Sequence, residues 1–261
     1  MVSVSLTILG SGSSGNCAYL ETPEARILVD AGFSTKQIRK RLEGIGRVPE
    51  NLTAILITHE HSDHIYGLPG IASKLNIPIY CNRATREGFE AQLKGKFTCN
   101  LFETGASFEI ADVRVDTFSI PHDAQDPVGY LLRTAAGNIG FVTDLGHTTK
   151  LVIERVRAAN VLVLESNHDV KMLQECPRRT WALKQRILGR HGHLSNEAAA
   201  EAAAQVMSAD LKHLYLAHLS RECNRPEIAQ YVMAEQLHHI GATHVQLRLA
   251  AQHVPCETLT L

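Results

Sequence analysis

The apolar residues of this chain fall into short runs bounded by turn residues, and the period of those runs changes along the sequence. Val4–Leu9 is rich in β-branched and aliphatic residues and reads as a strand. It feeds Gly10-Ser-Gly-Ser-Ser-Gly-Asn16, a turn-rich loop, and further strands are expected at Cys17–Glu21 and Ile27–Asp30. Ile38, Leu42 and Ile45 recur at helical spacing within Thr35–Ile45, with basic residues between them. Ala54–Ile57 is apolar throughout, hence a buried strand, and it ends at Thr58. A helix near Leu68–Lys74, a strand at Pro78–Cys81 and a helix near Ala84–Leu93 follow. Val113–Ile120, Val128–Thr134 and Asn138–Val142 read as successive strands. Strand and helix then alternate: Val161–Glu165, Glu197–Met207, His213–Ala217, Pro226–Ile240 and a closing strand at His244–Leu249. Ser195 or Asn196 stands where an N-cap of the Ala-rich helix belongs. This mixture predicts an α/β sandwich, two central sheets with helices outside. No linker, low-complexity tract or repeat interrupts the 261 residues, so one domain over 1–261 is expected.

Composition narrows the chemistry. Formal net charge is −1, so nothing global draws the chain to nucleic acid or to an anionic membrane; any basic surface is local. The six cysteines are scattered with no C-x-x-C pair, which argues against a zinc knuckle or a thioredoxin-like site. The start lacks a signal-peptide pattern and no stretch approaches a membrane span, so a cytoplasmic protein with free thiols is expected. Fourteen histidines point instead to metal or proton chemistry.

Thr58-His-Glu-His-Ser-Asp-His64 places four potential ligands within six residues, directly after a buried strand. A loop at a strand's C-terminal end can turn such side chains toward one point. His59 and His61 can share one metal, with Asp63 and His64 serving a second beside it. The competing reading is a polar turn with solvated histidines, but packing gives no reason for that density. His122, Asp144 and His218 each follow another strand: Val113–Ile120, Ile139–Val142 and Leu214–Ala217. Any one alone would more often be a turn residue; together they complete two sites. Nitrogen and carboxylate donors without thiolate suit zinc, manganese or iron.

The order His59-x-His61-x-Asp63-His64, then His122, Asp144 and His218, resembles the metallo-β-lactamase superfamily, and Asp30 matches its early structural aspartate. The resemblance covers nearly the whole chain. It implies a four-layer αβ/βα metallo-β-lactamase sandwich. It also implies that His59, His61 and His122 hold a first metal, that Asp63, His64 and His218 hold a second, and that Asp144 bridges them. Asp144 stands where two-zinc β-lactamases have cysteine, which argues against antibiotic hydrolysis. Two cations about 3.5–4 Å apart lower the pKa of a shared water, yield hydroxide near neutral pH and stabilise charge on a phosphoryl or carbonyl oxygen. Asp63 is therefore expected to be indispensable to catalysis as well as a ligand.

Glu165 ends a strand, and His193 lies in Gly192-His-Leu-Ser-Asn196. A carboxylate that orients a histidine gives a general acid for a leaving alkoxide, and the bland reading is a pair of loop residues capping helices. This arrangement looks like ribonuclease Z-type phosphodiesterases, with Leu194 interrupting the Gly-His-Ser run of that group. The nearer resemblance is to the YycJ/WalJ-like branch, carried by Gly10–Asn16, Thr143-Asp-Leu-Gly-His147, Leu164-Glu-Ser-Asn-His-Asp169, Gly192–Asn196 and Leu216-Ala-His-Leu-Ser-Arg-Glu-Cys-Asn224. It implies a nuclease, in particular a 5′-to-3′ DNA exonuclease with nucleic acid as its substrate. Relatives are commonly dimers, so a homodimer is carried as an expectation.

Lys171, Arg178, Arg179, Lys184, Arg186 and Arg190 outnumber Glu175 between Val170 and His193, a segment that can track a phosphate backbone or simply be a solvated face. His147, Asn167, His168, Ser220 and Asn224 are expected as substrate or supporting contacts, with Ser166 beside them. The glycine-rich loop lacks the G-x-x-x-x-G-K pattern and reads as a tight connection whose N–H groups can also face a phosphate. His238, His239, His244 and His253 have no partners in pattern and read as structural or surface residues. Two alternatives stand beside the nuclease: a thioester, lactone or small-phosphodiester hydrolase on the same metals, and a non-enzymatic scaffold. The complete ligand set weighs against the scaffold. The absence of a separate helical substrate domain weighs against a thioesterase.

Overall fold

The structure, a computed structural model, describes residues 3–261. Strands β1 (Ser5–Gly10), β2 (Cys17–Glu21) and β3 (Arg26–Val29) form an antiparallel meander. Helix α1 (Thr35–Gly44) leads to β4 (Ala54–Leu56), which pairs parallel with β3. A four-residue helix, α2 (Ser62–Ile65), precedes β5 (Ile79–Cys81), α3 (Arg83–Gln92) and β6 (Cys99–Leu101). Strands β7 (Ser107–Ile110), β8 (Val113–Ser119), β9 (Val128–Thr134) and β10 (Gly137–Val142) are successive antiparallel neighbours. Then come α4 (Lys150–Val156), β11 (Val161–Glu165), α5 (Val170–Glu175), α6 (Trp181–Leu188), α7 (Asn196–Val206), β12 (His213–Ala217), α8 (Pro226–His239), β13 (Gln246–Leu249) and β14 (Leu259–Thr260). The first sheet runs β14-β1-β2-β3-β4-β5-β6 and the second β13-β12-β11-β10-β9-β8-β7.

Alternation along the strands explains the layering. In β11, Val163 packs into the core between the sheets, while Leu162 and Leu164 face the helices. In β12, Tyr215 and Ala217 face inward, and Leu214 and Leu216 outward. Leu6, Ile8, Leu20 and Ile27 meet them from the first sheet. Each Val, Leu or Ile among them, fully withdrawn from water, contributes about 1.5–3 kcal/mol. Outside the second sheet lie α4, α7 and α8, where Ala199, Ala200, Ala202 and Ala203 let α7 seat closely. Outside the first, Ile38, Leu42 and Phe89 of α1 and α3 cover Leu28, Ile55 and Ile79. The result is a four-layer αβ/βα sandwich, as the resemblance implies.

Strand direction fixes where chemistry can gather. Strands β3 and β4 run parallel in one sheet, and β8, β10, β11 and β12 share a direction in the other. The expected ligands follow these strands, so their C-terminal ends deliver them to one edge of the sandwich. Several expectations need correction. The ligand segment is not all loop: Ser62–Ile65 closes a helical turn with His61 at its N-cap position. The helix expected near Leu68–Lys74 is present, but Pro69–Ser73 within it take π rather than α pitch. The strand placed at His244–Leu249 begins at Gln246 and does not close the fold, because the chain returns to the first sheet as β14 beside β1.

Candidate metal centre

Three residues of the site sit on backbone that most side chains avoid. Asp30, Asp144 and His218 have φ of 60°, 58° and 54°. Each follows a strand at the shared edge, where a left-handed residue turns the chain sharply and leaves its side chain over the cleft. Asp30 accepts hydrogen bonds from Thr58 N (2.9 Å) and Thr58 Oγ1, and its Oδ2 lies 2.7 Å from His64 Nδ1. That contact fixes the His64 ring, so Nε2 faces the centre. Asp144 is buried among imidazoles, 3.2 Å from His64 Nε2, 3.4 Å from His218 Nδ1 and 3.8 Å from His122 Nε2.

The structure brings His59, His61 and His122 together, and likewise Asp63, His64 and His218, with the potential ligand atoms of each trio within 4.8 Å of one another. Asp144 joins His59 and His64 in a third such group. Outer contacts orient the rings: His59 Nδ1 lies 3.0 Å from Thr58 Oγ1, and His122 Nδ1 is 3.1 Å from the Gly192 carbonyl. His59 Nε2 is fully buried without a hydrogen-bond partner. A buried unpaired nitrogen is costly, and a cation at that point would satisfy it. The donor set of imidazole and carboxylate fits zinc, manganese or iron.

Glu165 is wholly buried, yet every lone-pair direction is used. Its Oε1 is 2.8 Å from both His193 Nδ1 and His218 Nδ1, and Oε2 accepts from Leu145 N (2.9 Å) and Leu194 N (3.0 Å). Burial pushes its carboxyl up, but the neighbouring His193 and His218 outweigh that and bring it to about 2. Burial works against the charged His193 ring, but Glu165 prevails and raises its pKa. His193 also approaches Asp144 Oδ1 at 3.8 Å, which places a proton-bearing ring at the rim of the ligand cluster.

A cavity of about 210 Å³ opens over this cluster, lined by Asp63, His122, Asp144, His193 and His218 and by Asn167, Ser220, Arg179 and Arg186. Of the five expected substrate contacts, Asn167 and Ser220 line it; Asn167 Nδ2 also donates to the His218 carbonyl at 2.9 Å. His168 and Asn224 do not. His168 is buried, with burial lowering its pKa to about 4. Asn224 Nδ2 donates to the carbonyls of Ser166 and Asn167 and so braces the Glu165–Asp169 segment. His147 stands outside the cavity, with Nδ1 2.9 Å from the Arg190 carbonyl.

Sequence reasoning passed over Asn16, Ser11 and Glu60. Ser11 Oγ donates to Asn16 Oδ1 (2.8 Å) and accepts from His218 N (2.9 Å). Asn16 Nδ2 lies 3.3 Å from Asp63 Oδ2, so the glycine-rich loop supports both ligand segments rather than only joining strands. Glu60 accepts from Gln125 N at 2.9 Å and tethers the turn that carries His122. The loop's serines were visible as a turn signal, but nothing in their spacing reveals that the turn folds back onto the candidate ligands.

A family model described as a β-lactamase superfamily domain matches residues 25–219. The chain is 41% identical over 235 residues to exodeoxyribonuclease WalJ of Streptococcus pneumoniae, covering 88% of this chain and 87% of that protein. It is 37% identical over 238 residues to exodeoxyribonuclease YycJ of Bacillus anthracis, covering 90% and 89%. Among solved structures, the metallo-β-lactamase fold protein YhfI of Bacillus subtilis matches over 100% of both chains with a TM-score of 0.76 at 16% identity, a likeness of fold.

Proposed function

The chain belongs to the β-lactamase superfamily and is a hydrolase of that fold, and from that premise we propose that it is a two-metal nuclease acting on DNA, with 5′-to-3′ exonuclease action. The observation that carries this reading is the Glu165–His193 pair at the rim of the ligand cluster, a hydrogen-bonded acid beside the point where a phosphodiester would meet the metals. The relatives named exodeoxyribonucleases support DNA as the substrate.

His59, His61 and His122 would hold one ion, Asp63, His64 and His218 the other, and Asp144 both. Bound divalent ions supply Lewis acidity and make water nucleophilic near neutral pH. The remaining work falls to the chain itself. His193 Nδ1–H donates a hydrogen bond to Glu165, which stabilises the imidazolium and leaves the other ring nitrogen to give its proton to the departing 3′-alkoxide. Glu165 also fixes the His218 ring, so one buried carboxylate aligns the acid and a ligand. Asn167 and Ser220 offer hydrogen-bonding groups to the sugar-phosphate at the cleft wall. Ligands from both sheets converge on one centre, so residues 1–261 are read as one domain. Among the described residues no helix is long and apolar enough to cross a membrane.

The test is cleavage of 5′-end-labelled and internally labelled DNA and RNA, single- and double-stranded, with Mn²⁺, Zn²⁺ or EDTA. Metal-dependent release of label by the wild type, abolished in Asp63→Ala, supports the nuclease. Turnover of S-lactoylglutathione with no action on any phosphodiester would overturn it.

A further inference from the structure

Helix α6 forms one wall of the cleft, yet none of its residues is buried. Leu183, Arg186 and Ile187, at i, i+3 and i+4, face the cavity, and Arg179 just before the helix joins them. Ile187 packs the helix against Leu173, Cys176 and Cys223, and few polar contacts add to that. His193 N donates to the Ile187 carbonyl at 3.0 Å, Lys184 Nζ donates to the Gln174 carbonyl at 2.7 Å, and Arg186 pairs with Asp123. That ion pair crosses from α6 to the loop that carries His122, and Asp123 Oδ1 lies 3.4 Å from His122 Nε2.

The charges lining the cavity are unevenly distributed. Asp63, Asp123 and Asp144 are acidic, and apart from imidazoles the cations are Arg179 and Arg186. Arg179 is paired with Glu222 at 2.9 Å, and Glu222 does not line the cavity. Arg186 keeps 61% of its side chain exposed while its guanidinium holds Asp123 inside the cleft. A guanidinium fork suits phosphate as well as carboxylate.

We propose that Arg186 is the phosphate-binding side chain of the cleft, and that Asp123 occupies it as a stand-in until a phosphodiester of the nucleic acid displaces the carboxylate. This rests on the nuclease reading. Displacement releases the ion pair that ties α6 to the His122 loop, so α6 shifts as substrate enters. Trp181, the chain's only tryptophan, is the first residue of α6 and 71% exposed, which makes its emission a reporter of that shift.

The experiment compares Mn²⁺-loaded wild type, Arg186→Gln, Arg186→Lys, Asp123→Asn and the Arg186→Gln/Asp123→Asn pair on a single-stranded DNA 20-mer. Steady-state rates are measured with metal content, and stopped-flow Trp181 emission reads binding before turnover. Arg186→Gln is expected to raise KM about 10- to 100-fold with kcat within a few-fold, the loss typical of a charge-assisted contact. Arg186→Lys recovers part of that loss, which separates charge from any folding defect. Asp123→Asn lowers KM about 3- to 10-fold by removing the competitor, and the double variant behaves as Arg186→Gln, since without Arg186 there is nothing to free. Cleavage with an unchanged KM in Arg186→Gln overturns the inference and leaves the nuclease standing. A raised KM or lost metal in Asp123→Asn overturns the stand-in role. Binding that depends on Arg186 without cleavage sinks the nuclease alone, and neither cleavage nor an emission change sinks both.

Discussion

Single side chains in this protein do more than one task, and substitutions should expose that. Glu165 accepts from two imidazoles and two backbone N–H groups. Glutamine in its place keeps one acceptor oxygen and adds a donor facing a ring that also wants to donate. Glu165→Gln should therefore lower kcat by about 10²-fold or more, within the about 10²–10⁴-fold range expected for His193→Ala. The two differ in metal content: His193→Ala should keep its full complement, while Glu165→Gln loosens His218 and loses part of it. Elemental analysis alongside the rates checks this, and a fully active His193→Ala would remove the ring from the mechanism. Gly32 makes a second case. A β-carbon there would collide with the Asp63 carbonyl oxygen, which accepts from Asn16 N at 2.8 Å. Gly32→Ala should push the Asp63–His64 turn outward, costing about 1–3 kcal/mol by overpacking together with metal, as read by denaturant melts and metal analysis. The seven ligand candidates were legible because four are crowded into one segment and the others follow apolar runs. The left-handed backbone at Asp30, Asp144 and His218 was not, because aspartate and histidine carry no local mark of the φ they will adopt.

Among whole elements, legibility followed burial. The ends of β11 and β12 coincide with their apolar runs, since both strands are covered on both faces and the run stops where the cover stops. Strand β6 is a three-residue edge strand with two exposed positions, and α6 has no fully buried residue, so neither carries a strong apolar stripe to read. Polar ties hold elements where apolar contacts thin out. Asp116 of β8 accepts from Ser107 Oγ of β7 (2.7 Å), Arg114 Nε (3.0 Å) and Arg133 Nε of β9 (2.6 Å). Burial raises its pKa, but Arg133, Ser107 and Arg114 outweigh that and hold the carboxyl below the usual carboxylate range. A depressed folded-state pKa adds stability above the unfolded-state value, and that stability disappears as pH falls through the folded-state pKa. Asp116→Asn should thus destabilise the protein by about 1–3 kcal/mol at neutral pH, with the gap to wild type closing in acid. Urea melts across pH test the sign, and a gap that widened in acid would contradict it.

At the scale of the molecule, the site is where the two sheets meet. Each trio of ligand atoms takes two residues from the segment after β4 in the first sheet and one from a strand end of the second, His122 or His218. A cation in either trio therefore cross-links the halves of the sandwich as well as serving chemistry. Without one, His59 Nε2 stays buried and unpaired, and the Asp63 and Asp144 carboxylates are held by imidazoles, with Asn16 Nδ2 beside Asp63. Binding energy realised only in the folded state adds directly to stability, about 2.7 kcal/mol when free metal is 100 times Kd. At about 2–4 °C per kcal/mol for a chain of this size, EDTA should lower Tm by about 5–10 °C. Asp63→Ala, which keeps the first trio but breaks the second, should start lower and respond less to the chelator. Scanning calorimetry with and without EDTA, with metal content measured in each sample, tests this. If the metal left and Tm stayed, the ligands would be held in place by the two sheets alone, and the centre would draw on the fold's rigidity without adding to it.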